Sequence, residues 1–221
     1  MTRFHTSRII PVAVLALAAG LPAATAVAAP AAAATTYTIT DLGSLGLGVS
    51  DGLAINANGQ VTGYSYLSKQ IQVSCPPRQY GQQKKCYINP YHAFLYSNGT
   101  MNDLGTLGGN NSKGLGINLS GEVVGFAQTS TDADHGFLWS NGTMTDLGLN
   151  FFPAAVNDNG VVVGGNQIYS GGTLQNLNNL IPAGSPYQIQ YATAINDNGQ
   201  IVANAYDTAT NQGHALLLNP S

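Results

Sequence analysis

The sequence predicts an all-β protein built from four copies of one four-stranded unit, and three observations predict it. Short phrases recur in a fixed order along the chain. The apolar runs between them are brief and bounded by Asn-Gly or Gly-containing turns, the punctuation of hairpins rather than helices. A phrase that ends the unit also stands ahead of the first full copy, and the fourth copy lacks it.

The clearest copy runs from Gly114 to Gly148. It reads Ile117-Asn118, a turn ending in Gly121, an apolar run ending in Gly125, then His135-Gly136-Phe137-Leu138-Trp139, an Asn141-Gly142 turn and Thr143 to Gly148. Ahead of it, Tyr37 to Leu42 alternates β-branched and polar residues, the period of a half-buried strand, and matches the last strand of the unit. The first full copy has Gly52 to Asn56, a turn at Asn58-Gly59, Gln60 to Ser65, a long insertion over 66–91, and His92-Ala93-Phe94-Leu95-Tyr96 with its Asn98-Gly99 turn. Asn-Gly pairs are expected to turn with both residues at positive φ. The third copy keeps Val156-Asn157, Asn159-Gly160 and Val161 to Gly164 but carries Gln167-Ile168-Tyr169 in place of the histidine phrase. The fourth has Ile195-Asn196, Asn198-Gly199, Gln200 to Ala203 and His214 to Leu218, without a fourth strand.

The orphan strand at one terminus and the missing strand at the other fit a ring whose ends complete one sheet. The expected fold is therefore a four-bladed β-propeller closed by pairing of the N-terminal strand with the C-terminal blade. The Ile-Asn or Val-Asn phrases at Ile55, Ile117, Val156 and Ile195 have blade-like spacing, the first interval lengthened by the insertion. A β-prism, another closed β assembly and a five-bladed count are the alternatives.

These phrases resemble the bacterial extracellular HAF-repeat family, named for the His-Ala-Phe standing here as His92-Ala93-Phe94. The resemblance rests also on the Asp-Leu-Gly phrases at Asp41, Asp103 and Asp146 and on Ile-Asn-x-x-Gly-x-Val-x-Gly. It implies secretion and propeller-like repeats, and it adds no catalytic residues. The third copy departs from the pattern, as do Ala203 and Leu216 in the fourth.

Residues 1–34 read as a secretory signal peptide and small-residue spacer. Arg3 and Arg8 precede an apolar stretch from Ile9 to Ala19, too short for a membrane span, and Ala26-Val27-Ala28 offers a cleavage site. Residues 35–221 form a single repeat domain that is expected to be secreted, monomeric and without a membrane span after cleavage. That body carries five basic residues against ten acidic ones, a net charge of −5, which makes nucleic acid a poor partner. In an oxidising compartment the two cysteines, Cys75 and Cys86, most simply close one disulfide loop.

The chemistry-bearing residues mostly repeat. His92, His135 and His214 hold one repeat position, where each is expected to open a strand and satisfy backbone groups; Asp41, Asp103 and Asp146 are expected to accept local backbone N–H groups. Convergence of the histidines on a metal, and a hard-ion loop at Thr131 to His135, are the competing readings; no catalytic residue, metal or cofactor is assigned. The insertion alone breaks the repeat logic. It gathers Arg78, Tyr80, Lys84, Lys85, Tyr87 and Tyr91 beside the cysteine pair, a set suited to a ligand surface because aromatic rings give contact area at little entropic cost. The expected function is a non-enzymatic binding or interaction module for a polysaccharide, cell-wall component or protein. The alternative is a secreted hydrolase or lyase acting on an extracellular polymer at the propeller channel.

Overall fold

The computed structural model describes residues 36–73 and 85–220. The leader over 1–34 and the centre of the insertion, including Cys75, lie outside the described residues. Residues 1–39 and 40–221 form two compact units. Of the first, residues 36–39 are described, and they carry no regular secondary structure.

The second unit is all-β, with one 3-10 turn at Leu177–Asn179 and no α-helix among the described residues. Sheet 1 begins with β1 (Gly46–Ile55) and β2 (Val61–Leu67). The insertion then forms its own hairpin, β3 (Ile71–Val73) with β4 (Cys86–Ile88), before β5 (Tyr91–Ser97) and β6 (Thr100–Asp103) complete sheet 1 in the order β1-β2-β5-β6. Sheet 2 is the meander β7 (Gly108–Ile117), β8 (Val123–Thr129), β9 (Asp134–Ser140) and β10 (Thr143–Leu149). Sheet 3 repeats it with shorter strands, β11 (Ala155–Val156), β12 (Val162–Gly164), β13 (Gln167–Ser170) and β14 (Thr173–Asn176). Sheet 4 has three strands, β15 (Tyr187–Ile195), β16 (Ile201–Asp207) and β17 (Gln212–Leu218). All pairings within these sheets are antiparallel.

Each copy repeats the same local devices. A register shift falls at one place in the first strand of three copies, between Gly52 and Ala54, Gly114 and Gly116, and Ala192 and Ala194. Beside it the neighbouring strand comes so close that a Cβ on Gly63 would overlap the Asp51 carbonyl, and one on Gly125 the Lys113 carbonyl. That is why the Val-x-Gly phrase needs its second glycine; at the matching place in sheet 4 the buried Ala203 shows that the approach is looser. The two kinds of hairpin also differ from a single expectation. At Asn98-Gly99 and Asn141-Gly142 both residues take positive φ, as predicted. In the first hairpins only the glycine does, at Gly59, Gly121, Gly160 and Gly199. There the residue before the glycine, Asn58, Ser120, Asn159 or Asn198, is an ordinary turn position, and the recurring asparagine is the earlier one, Asn56, Asn118, Asn157 or Asn196, whose side chain caps the turn.

That earlier asparagine links the copies. Asn56 Nδ2 donates to the Asn118 carbonyl at 2.8 Å, Asn118 Nδ2 to the Asn157 carbonyl at 2.9 Å, and Asn157 Nδ2 to the Asn196 carbonyl at 3.0 Å. Each Oδ1 meanwhile accepts from its own turn, as Asn118 Oδ1 does from Glu122 N at 2.9 Å. The result is a ladder of buried or half-buried amides that fixes the order of the sheets.

Apolar cores fill the spaces between neighbouring sheets. Ala93, Leu95 and Leu104 of the first copy meet Val123, Ala127 and Phe137 of the second. Val124 and Leu147 meet Phe151, Val156 and Val162, and Val163 and Leu177 meet Ile189, Ala192, Ile201 and Ala203. Burying a side chain of this kind is worth roughly 1.5–3 kcal/mol, so the three cores, not the sparse charges, hold the array.

The closing strand is where the structure departs from expectation. Residues 36–44 form no strand, Tyr37 and Ile39 are exposed, and among the described residues β17 pairs only with β16. A strand phrase lacks stability until an open sheet edge lies against it.

Candidate ligand-binding surface

The repeated histidines and aspartates form pairs across a hairpin. His92 Nδ1 lies 2.8 and 2.9 Å from the two carboxylate oxygens of Asp103, and His135 Nδ1 lies 2.9 Å from both oxygens of Asp146. The histidines therefore bond to side chains rather than to the backbone groups expected of them. Asp103 also accepts the Gly105 N–H at 2.8 Å and Asp146 the Gly148 N–H at 2.7 Å, which is the local turn the sequence predicts. Burial alone would raise the Asp103 pKa; the hydrogen bonds from His92 and Gly105 and the His92 charge outweigh it and hold this carboxyl below its ordinary value. Among the described residues no group of three or more metal-ligating side chains converges.

A second cluster occurs in one place only. Tyr64 and Tyr66 lie two apart on β2, hence on one face, and Tyr91 stands opposite Tyr66 on β5. Their rings meet edge to face, with centroids 5.2 Å apart for Tyr64–Tyr91, 5.6 Å for Tyr66–Tyr91 and 6.0 Å for Tyr64–Tyr66. Lys113 of β7 places its Nζ 4.5 Å from the Tyr64 ring centroid, a cation–π contact from the neighbouring copy. A side-chain hydrogen bond to Asp51, then burial and the Asp51 charge, push the Tyr64 phenol up to about 12. Burial, followed by the Asp134 charge, raises Tyr91. The Tyr91 N–H donates to Asn111 Oδ1 at 3.2 Å, and Asn111 Nδ2 to Gln128 Oε1 at 3.0 Å, so sheet 2 braces the cluster.

The insertion rises from this cluster, because the Leu67 N–H donates to the Pro90 carbonyl at 2.9 Å beside the Tyr66–Tyr91 pair. Of the residues assigned to the surface from sequence, Tyr91 belongs to the cluster. Tyr87 on β4 is 55% exposed, and Lys85 just before that strand is exposed. Arg78, Tyr80 and Lys84 lie outside the described residues, as does Cys75 and with it the geometry of the Cys75–Cys86 pairing. Tyr64, Tyr66, Lys113 and Asp51 were not singled out by the sequence. The Tyr64-x-Tyr66 alternation was the available signal, whereas Lys113 joins only because the second copy packs on the first.

Residues 96–215, more than half of the chain, match the family model described as protein of unknown function (DUF3466). The chain belongs to that family. The DUF3466 match begins near the end of β5 and runs into β17, so it takes in sheets 2 and 3 and leaves out the insertion with the whole tyrosine cluster. Nothing in the match ties it to HAF repeats. No curated protein and no solved structure matches the chain.

Proposed function

We propose that this protein is a secreted, non-enzymatic binding module of the HAF-repeat type, its four sheets being consecutive propeller-like blades, and that it binds an extracellular polysaccharide through the tyrosine cluster and the insertion hairpin. The observation that carries the reading is the Tyr64–Tyr66–Tyr91 cluster with Lys113 over Tyr64. It occurs in one copy only, at the base of the one insertion. Aromatic faces take the C–H faces of sugar rings, and the neighbouring Asn111, Gln128 and Lys113 supply donors for their hydroxyls. A Cys75–Cys86 bridge would hold the hairpin ready for binding and limit the entropy lost on association.

Retention on a panel of soluble and insoluble polysaccharides tests this. Binding by the protein that is lost in Tyr66→Ala and in a variant lacking 71–90 is expected. Retention by both variants would end the reading, and release of reducing ends by the bound protein would turn it into the hydrolase.

A further inference from the structure

Three groups of repeat-equivalent residues are left over, and the leftovers match one another. Among the described residues, Asp103 and Asp146 each hold a histidine, but Asp41 does not. Asp41 makes the same turn, accepting the Gly43 N–H at 2.9 Å, and is exposed. Conversely His214, in the repeat position of His92 and His135, has no such aspartate: its Nδ1 has no hydrogen-bond partner among the described residues. Its buried Nε2 is likewise unbonded, standing 4.0 Å from Asp207. The ladder has loose ends of the same kind. Among the described residues, Asn196 Nδ2 bonds only to Gln200 of its own turn, and the Asn56 carbonyl accepts only from Gly59. Along the ladder, the amide of each copy donates to that carbonyl in the next.

The apolar residues tell the same story by position. Leu95 is 8% exposed where it faces sheet 2, while Leu217, at the matching register place in sheet 4, is 58% exposed. Val124 and Val163 are fully buried and their counterpart Val202 is not. On the opposite end, Ile55 is 69% exposed where Val156 is 8% exposed. Sheet 4 thus leaves Val202 and Leu217 uncovered and carries a groove of about 520 Å³ lined by Tyr191, Asn204, Tyr206 and His214, and sheet 1 leaves Ile55 uncovered at the other end.

We infer that a second copy of this chain supplies the missing contact, sheet 4 of one protomer seating against sheet 1 of the other. Asp41 of the incoming copy takes His214, the Thr40–Gly43 segment lies along the open edge of β17, and Asn196 donates to the Asn56 carbonyl across the junction. Within one chain the two faces belong to opposite ends of the ladder and share no strand pairing among the described residues; a second copy can meet both without moving the three cores between them. The contact is head-to-tail, so it closes into a ring or grows, depending on the rotation per copy. This replaces the monomer expected from the sequence, and it holds whatever the tyrosine cluster binds.

Sedimentation equilibrium of the purified protein at micromolar concentrations tests it. A mass that is a multiple of the protomer is expected, with association weakened about tenfold or more by Asp41→Lys. The charge-swapped pair Asp41→Lys with His214→Asp should restore it. Because Asp41 is exposed, near-ultraviolet circular dichroism should show Asp41→Lys folded, and Asp41→Asn, which keeps the turn, should weaken association with less change still. A protomer mass at every concentration overturns the proposal, as does association indifferent to Asp41→Lys or not restored by the swap.

Discussion

The asparagine ladder and the tyrosine cluster use polar side chains in opposite ways. In the ladder the inner rungs are spoken for: Asn118 donates to Asn157 and Glu122 and accepts from Glu122 N, and the inter-copy bond and the turn bond recur one copy on at Asn157. The tyrosine cluster occurs once, draws on strands of two copies, and keeps half-exposed rings beside an exposed hairpin. Groups that recur are satisfied by the neighbouring repeat and so are explained by architecture. Groups that occur once, and that the repeats do not need, are where a ligand is to be sought.

The largest effect that would test this contrast lies inside the ladder. Asn118 is buried, and Asn118→Ala leaves the Asn157 carbonyl and Glu122 N–H without their side-chain partner. A loss of about 2–4 kcal/mol in unfolding free energy is expected from two groups stranded in this way. Asn196→Ala, at the exposed end rung, removes within one protomer only bonds of its own turn and should cost the dissociated protomer about 1 kcal/mol or less. Urea unfolding of the two variants decides the matter: equal losses would mean that the inter-copy bonds contribute little.

The cluster should answer differently. Tyr91→Ala is expected to weaken polysaccharide retention by about tenfold, equivalent to about 1.4 kcal/mol. Asn196→Ala, on the other edge of the sheets, should leave retention unchanged. Affinity electrophoresis of both variants reads this directly, and a parallel loss in the two would erase the distinction between architectural and ligand-directed side chains.

The difference also explains what could be read from the sequence. Hairpins, sheet order and the place of each copy were legible because alternation, Asn-Gly turns and the Ile-Asn phrase act within a few residues. The histidine and aspartate of a copy were each visible, yet their pairing was not, since they meet only once β5 and β6, or β9 and β10, come into register. Tyr91 was legible as an unrepeated aromatic next to the insertion. Lys113 was not, because its contact depends on how β7 lies against β2. The strand at Tyr37 to Leu42 was over-read: alternation states what a segment can do beside a sheet edge, and residues 36–44 form no strand.

The His–Asp pairs offer a smaller effect with a definite sign. The Asp103 pKa is lowered on folding, so its contribution is present above the ordinary carboxylate pKa and is lost as pH falls through the depressed value. Asp103→Asn should therefore flatten the acid limb of the stability profile and cost well under about 1 kcal/mol at neutral pH, since the pair is partly exposed and screened. Thermal unfolding from neutral to acid pH checks it, and an acid limb unchanged by the substitution would rule the pair out as a contributor.

The smallest effect is spectroscopic and addresses the cluster itself. Tyr64 is held neutral up to about 12 by its hydrogen bond to Asp51, by burial and by the neighbouring negative charge. A raised phenol pKa favours the folded state below the ordinary tyrosine value of about 10, and that contribution is lost as pH climbs from there through the raised value. Ultraviolet difference titration of the folded protein should show a late phenol step from Tyr64 beside the delayed ionisation of Tyr91. Tyr64→Phe should delete that late step, whereas Asp51→Asn should move it toward the ordinary range while leaving the ring contacts with Tyr66 and Tyr91 in place. If Asp51→Asn leaves the late step where it was, the carboxylate is not what restrains Tyr64, and the cluster is held by ring packing and Lys113 alone.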